Sequence, residues 1–407
     1  MTGPAAGSAG PGGLAITGGT VVALDPPSVE RRDVLLGAEP RRELDASGCL
    51  VMPGLVNAHT HLYSALARGM PGPADPPRTF PEILERVWWR LDAALDEKLL
   101  EASAELALLE AALSGVTAVI DHHESPSFID GSLDVLARAA RAVGVKAALC
   151  YGATDRHGPK GAREGLAECE RAIRGGLSAM VGLHAGFTVS DETLRAAVDL
   201  AKRTAAGLHV HAAEDRCDAG SFARLEKAGA LGPKTILAHG VHLSAAERAR
   251  AERAGAWIVH NPRSNLQNAV GYADPKTLGP RVALGTDGMD ADLFTEARVA
   301  HLRAREAYGP EGGIDAVALL ANSQRLADEF LAPRPEDWIV LDYDPPTPLS
   351  ASNVAGHVLF GLGSRNVRDV VVNGEVIVEG RRPARVDGAR IHARAREEAA
   401  RLWRLMA

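Results

Sequence analysis

The stretch Val51-Met-Pro-Gly-Leu-Val-Asn-Ala-His-Thr-His61 joins a short apolar run to two histidines that are separated by one residue. Successive side chains on a β-strand point to opposite faces, so His59 and His61 point the same way. Two imidazoles that leave one face at a strand end make half of a divalent metal site. An isolated His-x-His pair belongs to a solvated surface or a hydrogen-bonded core about as often as it belongs to a metal site. The metal interpretation therefore requires further ligands from the rest of the chain.

Short apolar runs recur after this strand, and the stretches between them have the periodicity of helices. In residues 191–206 the apolar side chains are spaced three or four residues apart. Ser244 and Glu247 have the spacing of a capping box that opens another helix. The apolar runs are Leu55–His61, Thr117–His123, Lys146–Gly152, Met180–Phe187, Gly207–Ala213, Thr235–Val241, Ala256–Pro262 and Arg281–Gly288. Eight strands that alternate with helices predict a (β/α)8 barrel of the TIM type.

The segments before and after the barrel are each too small to bury a core, and we expect them to pair with one another. The C-terminal segment contains Val370–Val378, which has the pattern of a hairpin with an Asn373-Gly374 turn. The predicted α/β fold is thus a barrel beside a small β-sandwich domain. The predicted parts are a disordered leader at 1–13, a composite β-sandwich of 14–53 and 336–383, the barrel at 54–335, and a C-terminal helix within 384–407 that packs on the barrel.

Composition excludes several classes of protein. The 407 residues include 45 Lys and Arg against 52 Asp and Glu, a net charge of −7 that argues against a general nucleic-acid binder. No apolar run approaches the roughly 18–20 residues that span a bilayer, so a membrane is not an expected partner. Four cysteines are scattered without a Cys-x-x-Cys pair. That pattern is typical of reduced thiols and predicts a cytoplasmic protein.

Polar residues cluster at the carboxyl ends of the predicted strands, the face on which barrel enzymes keep their chemistry. A random scatter of 14 histidines would seldom place them so regularly. This coincidence favours a metal site over the alternatives for an isolated pair. The residues are, in strand order, His59, His61, His184, His209, His211, His239, His260 and Asp287.

Together these motifs resemble the amidohydrolase superfamily, in its chlorohydrolase and cytosine-deaminase-like branch, over essentially the whole chain. The superfamily motifs are Pro53-Gly-Leu-Val-Asn-Ala-His-Thr-His61, His209-Val-His-Ala-Ala-Glu214, Ala238-His-Gly-Val-His-Leu243, Val259-His-Asn-Pro-Arg-Ser-Asn265 and Leu284-Gly-Thr-Asp-Gly288. Within the branch the chain is similar to the SsnA-type aminohydrolases. The segments that carry this likeness are Trp88-Trp-Arg-Leu-Asp92, Val119-Ile-Asp-His-His123, Asn268-Ala-Val-Gly-Tyr272 and Asn353-Val-Ala-Gly-His357.

The resemblance implies one bound divalent metal ion, with Zn²⁺ favoured over Fe²⁺. The implied ligands are His59, His61, His211 and Asp287. His209 would lie deeper in the barrel as a core histidine. Members with two metal ions bridge them with a carboxylated lysine at the end of strand four, whereas Met180–Phe187 contains no lysine. Homo-oligomers are common in this branch, so the resemblance makes a homo-oligomer possible, while the sequence does not fix the oligomeric state.

The expected chemistry is metal-dependent hydrolysis. A bound ion lowers the pKa of its water from about 15.7 towards ~7, and the resulting hydroxide attacks a C–N carbon of a small nitrogen heterocycle, which releases ammonia. Glu214, three residues after His211, is positioned to shuttle the proton. Asp287 is expected to contact the metal and to orient the hydroxide. His239 is expected to stabilise the water or the developing charge.

Substrate contacts are less specific. His184 resembles a strand-four histidine that contacts substrate in related deaminases, and a buried, hydrogen-bonded histidine is the alternative. Trp89, behind the proline-rich loop 69–81, is expected either to stack on a flat ring or to belong to the core. Relatives that deaminate thioadenosine nucleosides carry an acid near the position of Leu91. No acid replaces it here before Asp92, which favours a free heterocycle over a nucleoside.

Two other functions stay open at this point. Ring-opening hydrolysis of a cyclic amide would use the same site, because one hydroxide and one glutamate serve both reactions. A non-catalytic binding protein that keeps the barrel is the second alternative. A degenerate copy would be expected to lose some of the metal ligands or Glu214, and all of them are present.

Overall fold

The chain was analysed as a computed structural model, which describes residues 13–37, 39–331 and 335–406. Residues 1–12 of the predicted leader lie outside the described residues, and Gly13 is the first residue of a strand. The N-terminal strands are β1 (Gly13–Thr17), β2 (Thr20–Leu24), β3 (Pro27–Arg31), β4 (Val34–Leu36), β5 (Pro40–Asp45) and β6 (Leu50–Pro53). Three of them form one small sheet in the order β4-β1-β5.

Eight parallel strands form the central sheet, and each pairs with its neighbour in chain order. They are β7 (Leu55–Thr60), β8 (Val116–His123), β9 (Lys146–Ala153), β10 (Val181–Ala185), β11 (Leu208–Ala212), β12 (Thr235–His239), β13 (Trp257–His260) and β14 (Val282–Leu284). A parallel bridge between Thr60 and Asp287 brings the first strand beside the loop that follows the last. The predicted (β/α)8 barrel is confirmed, and every strand overlaps its predicted run.

Helices lie between the barrel strands and continue after the last of them. They are α1 (Phe80–Ile83), α2 (Trp89–Ala94), α3 (Glu97–Leu113), α4 (Ser132–Val143), α5 (Gly158–Arg174), α6 (Asp191–Thr204), α7 (Ser221–Ala228), α8 (Ala245–Ala254), α9 (Pro262–Gln267), α10 (Leu293–Tyr308), α11 (Ala316–Asp328), α12 (Val354–Phe360) and α13 (Gly388–Met406). A π-helical turn at Leu84–Trp88 links α1 to α2. The predicted capping box of Ser244 and Glu247 opens α8. Among the described helices, none is long and apolar enough to cross a membrane.

The C-terminal strands complete a sheet that the N-terminal strands begin. They are β15 (Trp338–Leu341), β16 (Val367–Val372), β17 (Glu375–Glu379) and β18 (Arg382–Pro383). The sheet order is β18-β17-β16-β15-β6-β2-β3, so β15 joins the two ends of the chain by pairing with β6. Asn373 and Gly374 both have positive φ, as a type I′ hairpin turn between β16 and β17 requires. The two termini therefore share one sheet, while the exact domain limits stay a prediction.

The last helix packs outside the barrel against α3. Trp403 donates its indole N–H to the carbonyl of Leu66 at 2.9 Å. Arg401 forms two hydrogen bonds with Asp96, the N-cap residue of α3. These contacts hold α13 beside the segment that follows the first barrel strand.

Apolar side chains fill the inside of the barrel below its carboxyl end. The residues of this cluster include Val56, Ile120, Cys150, Met180, Ile236, Trp257 and Val259. Leu326 and Ala327 from α11 pack into the same cluster. The polar cluster described below lies above this apolar layer, at the carboxyl end of the strands.

Gly182 tests how closely the barrel strands approach one another. A Cβ atom at this position would lie 2.3 Å from the carbonyl oxygen of Tyr151 on β9, and backbone cannot move aside cheaply. We expect Gly182→Ala to lower the free energy of unfolding by about 1–3 kcal/mol, as measured by chemical denaturation. Gly72→Ala is the control, because no atom lies within 4 Å of the added carbon. Equal stability of the two variants would contradict the close approach.

Candidate metal centre

Four side chains converge above the barrel core. His59 and His61 leave the end of β7 on one face, His211 leaves β11, and Asp287 follows β14. The Nε2 atom of His61 lies 3.2 Å from Nε2 of His211 and 2.9 Å from Oδ1 of Asp287. The Nε2 atom of His59 lies 3.2 Å from the same oxygen. Each of the four residues offers one ligand atom, and these four atoms all lie within 4.8 Å of one another.

This cluster fits a divalent metal ion. Ligand atoms held roughly 2.0–2.1 Å from Zn²⁺ in a tetrahedron lie about 3.3 Å apart, close to the spacings in the cluster. Three imidazoles and one carboxylate are a donor set that zinc and other first-row divalent ions accept. His59 is fully buried and His211 is nearly so. Such a concentration of inward-facing donors is costly to bury without a cation.

Outer hydrogen bonds set the tautomers of two of these histidines. His61 donates from Nδ1 to the carbonyl oxygen of His122 at 2.6 Å, and His211 donates from Nδ1 to that of His184 at 2.6 Å. A carbonyl oxygen can only accept, so the proton of each neutral ring is on Nδ1. The lone pair on Nε2 then faces the centre of the cluster, as metal binding requires.

Asp287 is held by both its backbone and its carboxylate. Its φ of 55° lies in the left-handed region, and its N–H donates to the carbonyl of His59 at 3.0 Å. The hydroxyl of Ser264 donates to Oδ2, which leaves Oδ1 for the histidines. Although burial alone would raise it, hydrogen bonds from His59 and His61 hold the pKa of Asp287 well below its usual range. Ser264 was not predicted, although it lies within the Val259–Asn265 motif.

His59 and His61 differ in their pKa values, although both contact Asp287. Burial lowers the pKa of His59 to about 4. Burial also opposes protonation of His61, but the hydrogen bond and charge of Asp287 raise its pKa to about 9. Without a metal ion, the proton on His61 therefore balances the carboxylate.

Glu214 and His239 lie beside the cluster. Oε2 of Glu214 is 3.6 Å from Nε2 of His239, and both residues group with Asp287 within 4.8 Å. Burial, followed by the charge of Asp287, raises the pKa of Glu214 well above its usual range. A buried carboxyl with a raised proton affinity, next to the cluster, is suited to accept a proton and pass it on.

His239 has an unused nitrogen. Its Nδ1 donates to Oδ1 of Asn265 at 2.8 Å, whereas Nε2 is buried without a hydrogen-bond partner among the described residues. Its φ of 75° is uncommon for a residue with a side chain. Strained backbone together with an unpaired buried polar atom is typical of a functional position.

A cavity opens from the cluster, with an apolar wall and a polar wall. The apolar wall consists of Phe80, Leu84, Trp88, Trp89 and Phe187. The polar wall consists of Asp92, Glu124 and His184. Trp89 and His184 both line the cavity, and their contact with a substrate stays a prediction.

An arginine that was not predicted organises the polar wall. Arg156, just beyond β9, bonds to Asp92 at 2.8 Å and to Glu124, and its guanidinium stacks 4.6 Å from the ring centre of Trp89. Nε2 of His184 lies 3.6 Å from Glu124. The signal for Arg156 was its place after the carboxyl end of a strand.

The structure bears on the expected preference for a free heterocycle over a nucleoside, which stays a prediction. The absence of an acid near Leu91 argued against a nucleoside, but Leu91 is fully buried in the core. Its neighbour Asp92 lines the cavity instead, and Oδ1 of Asp92 has no hydrogen-bond partner among the described residues. The cavity therefore does contain an acid.

The remaining histidines lie outside the cluster. His209 contacts His59 from deeper in the barrel. His260 is buried on β13, and His242 donates from Nε2 to the carbonyl of Val270 at 2.7 Å. His242 thus has a hydrogen-bond partner outside the cluster.

Known proteins are similar to this chain in sequence or in fold. The 5-methylthioadenosine/S-adenosylhomocysteine deaminase of Desulforudis audaxviator is 30% identical over 430 residues, which cover 98% of this chain and 96% of that protein. The 5'-deoxyadenosine deaminase of Methanosarcina mazei is 30% identical over 390 residues, 88% of each chain. An adenosine deaminase structure from Xanthomonas campestris with bound zinc is 23% identical, covers 96% of this chain and 98% of its own, and has a TM-score of 0.80, a likeness in fold.

The sequence pattern of the amidohydrolase family matches residues 50–322, from the last N-terminal strand to the final barrel helix. The match includes all eight barrel strands and every residue of the candidate metal cluster. Together with relatives aligned over nearly the whole chain, it shows that this protein belongs to the amidohydrolase family, the hydrolases of carbon–nitrogen bonds that its motifs predicted.

Proposed function

We propose that the protein is a metal-dependent aminohydrolase that releases ammonia from a small nitrogen heterocycle. The observation that carries this proposal is the arrangement of Glu214 and His239 around the open side of the cluster. The carboxyl of Glu214 lines the cavity, and 3.6 Å from its Oε2 lies Nε2 of His239, which has no hydrogen-bond partner among the described residues. The relatives named as deaminases support ammonia release over ring opening.

The proposed metal ligands are His59, His61, His211 and Asp287. A divalent ion bound there would supply the Lewis acidity that lowers the pKa of a water molecule towards ~7. The absence of lysine from β10 supports a single ion. Zinc in the Xanthomonas adenosine deaminase supports Zn²⁺ over Fe²⁺.

Glu214 is proposed to move the proton during hydrolysis. It accepts a proton from the attacking water and donates it to the leaving nitrogen, which departs as ammonia. The Nδ1–H group of His239 donates a hydrogen bond to Oδ1 of Asn265, so the proton stays on Nδ1 and Nε2 has a free lone pair. A hydrogen bond from the attacking water to this lone pair would orient the water for attack. Asp287 adds a second fixed acceptor next to the same position.

The substrate is proposed to be a purine-type heterocycle. Trp88 and Trp89 give the cavity flat apolar surfaces that suit an aromatic ring. The adenosine-type substrates named for the relatives support a purine, and the free Oδ1 of Asp92 would accept a hydroxyl of an attached sugar.

The proposal also covers the location of the protein, its partner and its oligomeric state. The four cysteines are free thiols, which supports the cytoplasmic prediction. The net charge of −7 supports a small-molecule partner over nucleic acid. Homo-oligomer formation stays a prediction.

Metal content tests the proposed ligands. We expect close to one divalent ion per chain in the purified protein, and loss of most of it in His61→Ala, because a ligand is removed. His242→Ala is the control, because this histidine bonds to Val270 outside the cluster. Elemental analysis of both variants provides the measurement. A content near two ions per chain would contradict the single site.

Glu214→Gln tests the proton transfer. We expect it to keep its metal and its fold but to release ammonia roughly 10²–10⁴-fold more slowly, because the amide cannot exchange a proton. Glu164→Gln, an exposed residue paired with Lys160, should retain full activity. The assay measures ammonia from a panel of purines, pterins and pyrimidines. A ring-opened acid without ammonia would instead support the cyclic amide hydrolase, and unchanged turnover would remove Glu214 from the mechanism.

Asp92→Asn tests whether the polar wall binds a sugar. If Asp92 accepts a substrate hydroxyl, the amide should lower kcat/KM for adenosine by roughly 10–100-fold and leave that for adenine nearly unchanged. Steady-state kinetics with both substrates provide the comparison. An equal loss with the two substrates would mean that Asp92 only supports Arg156.

A further inference from the structure

The three histidines of the cluster differ in what holds their outer nitrogen. His61 and His211 donate to backbone carbonyl oxygens, which no substitution can remove. The Nδ1 atom of His59 instead lies 2.9 Å from Nε2 of His209, a side chain on β11. The orientation of His59 therefore depends on a residue that neither the proposed metal set nor the proton transfer uses.

The direction of this hydrogen bond follows from the metal. If Nε2 of His59 offers its lone pair to the cluster, the proton of this neutral ring is on Nδ1. That N–H must then donate to Nε2 of His209, so Nε2 of His209 carries no proton. Since a neutral imidazole has one N–H, the proton of His209 is on Nδ1.

Cys150 is the last side chain in this series of hydrogen bonds. Its Sγ lies 3.8 Å from Nδ1 of His209, within range of a hydrogen bond to sulfur, and its thiol donates to the carbonyl of Asp121 at 3.5 Å. The sulfur thus accepts from His209 while its proton points to the backbone. Every donor from His59 to Asp121 meets one acceptor.

These hydrogen bonds can fix the tautomer of His59 because the side chains that make them are buried. His59, His209 and Cys150 are fully buried, so no solvent competes for their polar atoms. The opposite tautomer of His209 would set two N–H groups against each other, a costly arrangement in a dry core.

We propose that His209 and Cys150 are positioning residues that select the metal-binding tautomer of His59. The proposal rests on the proposed metal ligation by His59 and on no particular substrate. No proton is transferred, because the bonds serve only to orient one ring. Outer partners of this kind raise metal affinity in other metal sites.

Zinc affinity of the metal-free protein, measured by competition with a chromophoric chelator, provides the test. His209→Leu removes the acceptor, and we expect the affinity to fall roughly 10–100-fold. His209→Gln should stay close to wild type, because its amide can accept from His59 and donate to Cys150. Cys150→Ala removes only a weak acceptor, so a loss of roughly 2–10-fold is expected.

Cys169→Ala is the matched control for Cys150→Ala. Both thiols are fully buried, Cys150 on β9 and Cys169 on α5. Cys169 bonds to the backbone of Tyr151, and among the described residues it has no hydrogen bond to a histidine. We expect a similar fall in the melting temperature of both metal-free variants, with zinc affinity lowered only in Cys150→Ala. Equal zinc affinities in the two cysteine variants would overturn the role of Cys150.

The role of His209 has its own contradicting result. Wild-type zinc affinity in His209→Leu, or an equal loss in His209→Leu and His209→Gln, would overturn it, because only the leucine removes the acceptor. Unchanged zinc affinity in His59→Ala would instead contradict the proposed ligand set. The two failures are therefore distinguishable.

Discussion

The contact between β7 and the loop after β14 closes the barrel, and the same contact brings Asp287 next to the histidines of β7. The backbone N–H groups of Thr286 and Asp287 both donate to the carbonyl of His59, at 2.9 and 3.0 Å. Gly285 permits this approach, because a Cβ there would lie 2.8 Å from the Cβ of His59. Without this closure the carboxylate of Asp287 could not reach the two histidines of β7.

Burial explains why the cluster is so specific. Imidazoles and carboxylates in a dry core need a partner for each polar atom, and most have one through a carbonyl or a side chain. Among the described residues, three buried atoms without a hydrogen-bond partner stand out: Oδ1 of Asp92 and Nε1 of Trp89 in the cavity wall, and Nε2 of His239 beside Glu214. Burying such atoms lowers the stability of the protein, and a bound ligand would supply partners for them.

Much of the fold could be predicted because its signals are local. Strand periodicity, the spacing of Ser244 and Glu247, and the Asn373-Gly374 turn each concern neighbouring residues, and all three were confirmed. Side chains in the cavity wall were harder to predict. Leu91 and Asp92 are neighbours on a helix, where successive side chains differ by about 100° in direction, and only packing sets which one faces the cavity.

The sequence by itself determined that His59 and His61 share a face, because the period of a strand is a property of the local backbone. It also placed the histidines and Asp287 at strand ends, which the barrel then turns to one side. The selection among them required the folded chain. His209 and His211 have the same parity on β11, yet His211 joins the cluster and His209 lies below it against His59. Depth along the barrel axis separates them, and depth depends on the stagger of eight strands that are far apart in sequence.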